Sequence, residues 1–219
     1  MQGADLGEAF FDNTTRLYGV ILGDDTYGGA SLADVNWGGV NLAVVDWSEL
    51  KMLGDDYQAR RFGVWVLKFY QTAVRANRQL AVVLRDQGLN EEADRFAYRA
   101  QVLQRKVFWK QKKFGRGFFS GFLALVAGYG YRMERILFTY AIVVSLFAVA
   151  YFILGIYYPP PIPLSQAFFE SITAFHGRVF FEQFSLNTPQ IWVTAGEAIA
   201  GLVVEGVFIA MLTQRFFGR

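Results

Sequence analysis

The stretch ILFTYAIVVSLFAVAYFILGIY, Ile136 to Tyr157, runs 22 residues without a charged side chain. At the helical rise it reaches roughly 33 Å, enough for a hydrocarbon core, and it is apolar on every face rather than along one stripe. It reads as a membrane span. Ile191 to Phe217 nearly repeats the pattern, with two glutamates, Glu197 and Glu205, inside it. Two spans make a multi-pass chain, and function is sought in the segment between them.

The chain is 53% hydrophobic, yet almost every charge lies outside the spans. Positions 1–56 carry ten acidic groups against Arg16 and Lys51, whereas Arg105 to Arg135 holds eight basic groups against Glu134, a polarity that the net charge of +2 conceals. Lysine and arginine beside spans stay on the cytoplasmic side. Lys110, Lys112, Lys113, Arg116, Arg132 and Arg135 precede the first span, and Arg215 and Arg219 follow the second. The loop from Tyr158 to Gln190 offers only Arg178 against Glu170 and Glu182. Both termini are therefore expected in the cytoplasm of a cell-membrane protein. The start, MQGADLGEAFFDN, lacks the basic and apolar stretches of a signal peptide, so the first span is expected to insert uncleaved.

Without cysteine there is no disulfide frame or thiolate metal site, and one histidine does not build a zinc centre. No phosphate-binding glycine loop, nucleophile with its base, or metal-ligand spacing appears. The expectation is a protein that is not an enzyme, with no cofactor beyond a permeant inorganic ion and no nucleic-acid partner.

A five-residue period runs through the first segment. Large apolar residues stand at Leu17, Leu22, Tyr27, Leu32, Trp37, Leu42, Trp47 and Met52, and two places earlier stand Thr15, Val20, Asp25, Ala30, Val35, Val40, Val45 and Leu50. Ala4, Leu6, Ala9 and Phe11 repeat the pattern one position out of phase. This resembles the pentapeptide-repeat family, and the resemblance implies a right-handed four-sided β-helix of about two coils over 1–56. Its implied role is a cap or assembly surface, open to an unidentified protein or ligand.

From 57 to 113 the apolar spacing of Phe62, Trp65, Val66, Phe69, Tyr70, Ala73 and Val74 predicts helix. Gly88 is suited to end one helix and Asn90 to cap the next, giving a cytoplasmic helical hairpin. The spacing of Gly88, Ala93, Phe96 and Ala100 resembles one tetratricopeptide-type repeat, with a rigid connector as the expected role. The segment 114–135 is apolar at Phe118, Phe119, Phe122, Leu123, Leu125 and Val126, too short to span and preceded by cations, so it is expected on the inner membrane surface. Gly128-Tyr129-Gly130 imitates a potassium-filter tripeptide, but no spanning helix precedes it.

Between the spans, Pro159-Pro160-Pro161-Ile162-Pro163 stops the first helix, and Ser165 is placed to cap a short helix through Thr173. Span, re-entrant helix, loop and span resembles the two-span pore domain of the potassium-channel superfamily, over 136–219. The resemblance implies a symmetric tetramer in a lipid bilayer around an aqueous pore. Aligned on the filter motif, the segment reads Thr173, Ala174, Phe175, His176, Gly177 and Arg178, of which only Thr173 and Gly177 match, so potassium preference does not carry over.

Glu205 and Glu197 are candidate pore-lining residues, since a carboxylate within a span faces water or a partner. Glu197 alternatively braces Arg178 or the filter, and Glu205 is alternatively a hydrogen-bonded core carboxyl. Gly201 and Gly206 offer a gating bend or close packing, and His176 a filter support or a proton-sensitive gate. The whole is expected to be a mainly α membrane protein with a short β-helix, acting as an oligomeric, cation-conducting channel. Two alternatives stand beside it: an anion-selective pore using Arg178, and a non-conducting membrane scaffold or sensor. No span carries arginines at helical intervals, so voltage sensing is not expected.

Overall fold

The computed structural model describes residues 3–24, 28–62, 66–159, 161–178 and 188–217. Asp25, Tyr27, Trp65, Pro160, Glu182 and Arg219 lie outside them. The chain divides into two compact units, Met1–Ala124 and Leu125–Arg219.

The right-handed β-helix expected over 1–56 is not what the first unit builds. Among the described residues, β structure amounts to strands β1 (Gly23–Asp24) and β2 (Gly28–Gly29), paired antiparallel, and two isolated parallel bridges, Asp5 to Ser31 and Phe10 to Asn36. Backbone donors divide between partners far along the chain and local turns: Leu6, Glu8 and Phe11 donate to the carbonyls of Ser31, Ala33 and Asn36, and Ser31 and Asn36 donate to those of Ala4 and Ala9. Val20, Val40, Val45 and Leu50 donate to the carbonyls of Leu17, Trp37, Leu42 and Trp47, three residues back. Side chains of Asp5, Asn36, Asn41 and Asp46 accept from the amide two residues on, each closing a further turn. The period is visible in burial, because Leu17, Leu22, Leu32, Trp37, Leu42 and Trp47 are all buried. A repeating inward side chain sets a core without setting a strand ladder.

Helix α1 (Gly54–Phe62) leads from this body to a hairpin of α2 (Leu67–Asp86) and α3 (Asn90–Lys110). Gly88 ends α2 in the left-handed region, its amide and that of Leu89 bonding back to the Arg85 and Leu84 carbonyls. Asn90 is the first residue of α3, and no side-chain cap precedes it. Ala59, Tyr70, Ala73, Val74, Leu103 and Val107 form a shared core.

Two buried carboxyls tie the elements together. Asp55 Oδ2 accepts from the Leu32 amide at 2.7 Å, while Asp56 accepts from Asn77 Nδ2 and from Arg99 Nε, each at 2.9 Å. Burial pushes the Asp55 carboxyl up to about 6 against the opposing pull of its backbone hydrogen bonds. Burial also raises Asp56, although the Arg99 guanidinium holds it down in part.

Helix α4 (Phe114–Ala127) exposes Phe114, Phe118, Phe119 and Leu125 and buries the small residues Gly117, Ser120, Ala124 and Ala127. Gly128–Gly130 joins it to the next helix as a short turn whose three residues all take positive φ.

The second unit consists of α5 (Met133–Tyr157), α6 (Leu164–Phe175) and α7 (Pro189–Phe217). Glu134–Tyr157 and Pro189–Thr213 are both long and apolar enough to cross a membrane, and only 22% of each apolar window is buried. A core helix of a soluble protein is mostly buried, so these two differ from it. Helix α6 starts at Leu164 with Pro163 as its cap, and Ser165 lies inside the helix rather than ahead of it. The proline turn folds back on α5, where Tyr151, Ile162 and Ala167 form a small core with Phe147 and Val193 around it.

Candidate functional site

Helix α6 packs against both α5 and α7 and ends partway along α7. The fit is fixed by Gly201, where a Cβ atom would stand 1.9 Å from the Phe175 carbonyl oxygen. Gly201 lies twelve residues into the 29-residue α7, so the end of α6 meets it roughly 18 Å along the helix. Gly201 is thus a close-packing position, and α7 runs as continuous helix through it and through Gly206. Around Gly206 an added Cβ would meet nothing within 4 Å.

The proposed filter does not have filter geometry. Thr173, Ala174 and Phe175 form the last turn of α6 and His176 its cap. Gly177 takes φ +69°, its amide donating to the Ala174 carbonyl at 2.9 Å while the Arg178 amide donates to Thr173 at 2.9 Å. That is the two-bond glycine closure of a helix C-terminus. It consumes the carbonyls that a filter would turn toward an ion, and the Phe175 carbonyl faces Gly201. Arg178 lies exposed beyond the closure.

What gathers at this helix end is a polar pair on an aromatic platform. His176 Nδ1 stands 2.5 Å from Glu205 Oε1, and both side chains keep partial exposure, 46% and 39%. With its hydrogen on Nδ1 the imidazole donates to the carboxylate. Tyr140 from α5 packs edge-on to Phe175 at 4.8 Å and tilts over the His176 ring at 6.0 Å. The C-terminal end of α6 adds partial negative charge at the same place. Glu205 and His176, singled out separately in the sequence, therefore meet across two helices.

Glu197 is not a wall residue. It is fully buried inside the hairpin, and its hydrogen-bond partner is Ser171 of α6 rather than Arg178. Sequence reasoning missed the polar residues around it. Tyr151 donates to Thr194 Oγ1 at 3.0 Å, Thr194 donates to the Gln190 carbonyl at 2.9 Å, and Ser171 reaches the Val144 carbonyl at 2.8 Å. One signal was present: Gln190, Thr194, Glu197, Gly201 and Glu205 recur every three or four residues, the spacing of one helix face. Tyr151 and Ser171 left no such trace.

No family model, curated protein or solved structure matches this chain. The pentapeptide-repeat and potassium-channel resemblances therefore rest on the quoted residues alone, and the function must be argued from geometry. No cluster of three or more metal-ligating side chains occurs among the described residues.

Proposed function

We propose that the chain is a two-span membrane protein that assembles into an oligomeric, cation-conducting channel, with the water path passing the His176–Glu205 pair. The observation that carries this reading is a half-length helix, α6, delivering the His176 imidazole to the partly exposed Glu205 carboxylate partway along a candidate membrane span, α7. A charged group at such depth costs on the order of 3 kcal/mol on insertion scales unless water or another protein faces it. A helix end in hydrocarbon is tolerated only under the same condition. Several copies arranged around an axis meet it, each contributing one Glu205 carboxylate and one negative helix end. Both features attract cations, which favours them over anions despite the exposed Arg178.

Flux through reconstituted vesicles tests this. The wild-type chain is expected to pass monovalent cations, and Glu205→Gln is expected to lower that flux several-fold with the oligomer intact. A well-folded oligomer with no flux under varied voltage, pH and osmotic tension would reject conduction and leave a membrane-anchored scaffold.

A further inference from the structure

The hairpin of each chain holds a second carboxylate that conduction does not use. Glu197 has no exposed surface, and its Oε2 atom has no hydrogen-bond partner. Tyr151 of α5 and Ser171 of α6 bring hydroxyls to it, and Thr194, one turn earlier on α7, holds the Tyr151 hydroxyl. A second buried carboxyl, Glu170 of α6, lies close enough to act on Tyr151 through its charge and supplies no cation.

The hydroxyl hydrogens are few. Thr194 gives its one hydrogen to the Gln190 carbonyl, and Tyr151 gives its own to Thr194. Ser171 has one hydrogen for two acceptors, the Val144 carbonyl and Glu197 Oε1. Tyr151 also stands within hydrogen-bonding reach of Glu197, but a hydrogen given there is lost to Thr194, and Oε2 has no hydrogen-bond partner. The ion pairs of the described residues leave Glu197 out: Arg75, Arg85, Arg99 and His176 pair with Asp34, Asp94, Asp56 and Glu205. Among the described residues, a full negative charge enclosed in this way has no cation to balance it.

We propose that Glu197, with Ser171 and Tyr151, is a binding site for one monovalent cation, either a proton or a sodium ion, inside each chain and separate from the His176–Glu205 path. The charge count sets the class. One carboxylate among neutral oxygens is neutralised by a single positive charge, whereas a divalent ion would leave an excess charge buried in the hairpin. A proton would sit on the carboxyl and remove its charge, the acid donating to Ser171 while Ser171 donates to Val144. A sodium ion would take the same hydroxyl oxygens and the carboxylate as ligands. The inference needs only the fold of the hairpin and survives if the protein conducts nothing.

Infrared difference spectroscopy of the full chain in lipid, wild type minus Glu197→Gln, separates the two ligands. A carboxylic-acid C=O band at neutral pH, absent from Glu197→Gln and retained in Glu205→Gln, assigns the proton. A carboxylate band that shifts when sodium buffer is exchanged for potassium assigns the metal ion. In either case Ser171→Ala, which keeps the carboxyl, should move the band, and this second variant serves if Glu197→Gln fails to fold. A Glu197 carboxylate band indifferent to pH, to the sodium exchange and to Ser171→Ala would overturn the proposal.

Discussion

Each of the two units buries acidic groups, and they neutralise them by different means. In Met1–Ala124, Asp56 meets the Arg99 guanidinium and the Asn77 amide, and Asp55 takes a backbone amide from Leu32. In Leu125–Arg219, Glu197 meets hydroxyls alone, and the partly exposed Glu205 meets a histidine. The charged helices of Met1–Ala124 supply a cation to Asp56, the Arg99 stem being largely covered while its head is paired. The apolar stretches 136–157 and 191–213 hold no lysine or arginine and have no such reserve. Carboxylates within a span need water, a neighbouring copy or a bound ion, which is the ground for proposing Glu197 and Glu205 as functional positions.

The paired side of this contrast breaks most readily at Arg99. Arg99→Ala leaves Asp56 charged and enclosed, and removing one member of a buried pair costs about 4 kcal/mol. Thermal unfolding of the solubilised chain should show that loss at neutral pH, and Asp56→Asn added to Arg99→Ala should recover most of it. No recovery would mean that packing of the arginine stem, not charge, holds the joint.

Asp55 sharpens the contrast through pH. Its carboxyl stands at about 6 in the fold against an ordinary 3.8, so the folded chain holds this proton more tightly than the unfolded chain. The sign follows: the group favours folding most below about pH 4, and the advantage declines as pH rises to about 6. Roughly two pH units correspond to about 3 kcal/mol. Asp55→Asn should flatten stability between those limits relative to wild type, and parallel pH profiles for the two proteins would contradict the assignment.

Two glycines of one helix give the smallest effect. Gly201→Ala forces a Cβ against the Phe175 carbonyl, and overpacking of this kind costs about 2 kcal/mol. Gly206→Ala meets nothing within 4 Å and should be neutral or slightly stabilising, since alanine is the better helix former. Equal effects in a thermal unfolding assay would dissolve the distinction between packed and open positions on α7.

The uncharged run from Ile136, the proline stop and the return at Pro189 were legible because span length and the missing proline donor act locally. The five-residue period was legible as burial but not as backbone, since turns and ladders bury the same inward side chains. Around Thr173–Arg178 a single glycine fits both a filter and a helix closure, and the choice rests on amides that sequence does not display. Ser171 and Tyr151 were invisible for a related reason. Their partners lie on other helices, and an isolated hydroxyl in an apolar run carries no period.

The central claim is that the end of α6 opens to water at depth. The chain has no cysteine, so single introduced cysteines report without background. His176→Cys and Glu205→Cys should react with a charged, membrane-impermeant thiol reagent in the reconstituted oligomer. Leu146→Cys, on an exposed apolar face of α5, should stay unmodified. Inert cysteines at both 176 and 205 in a folded oligomer would contradict the account.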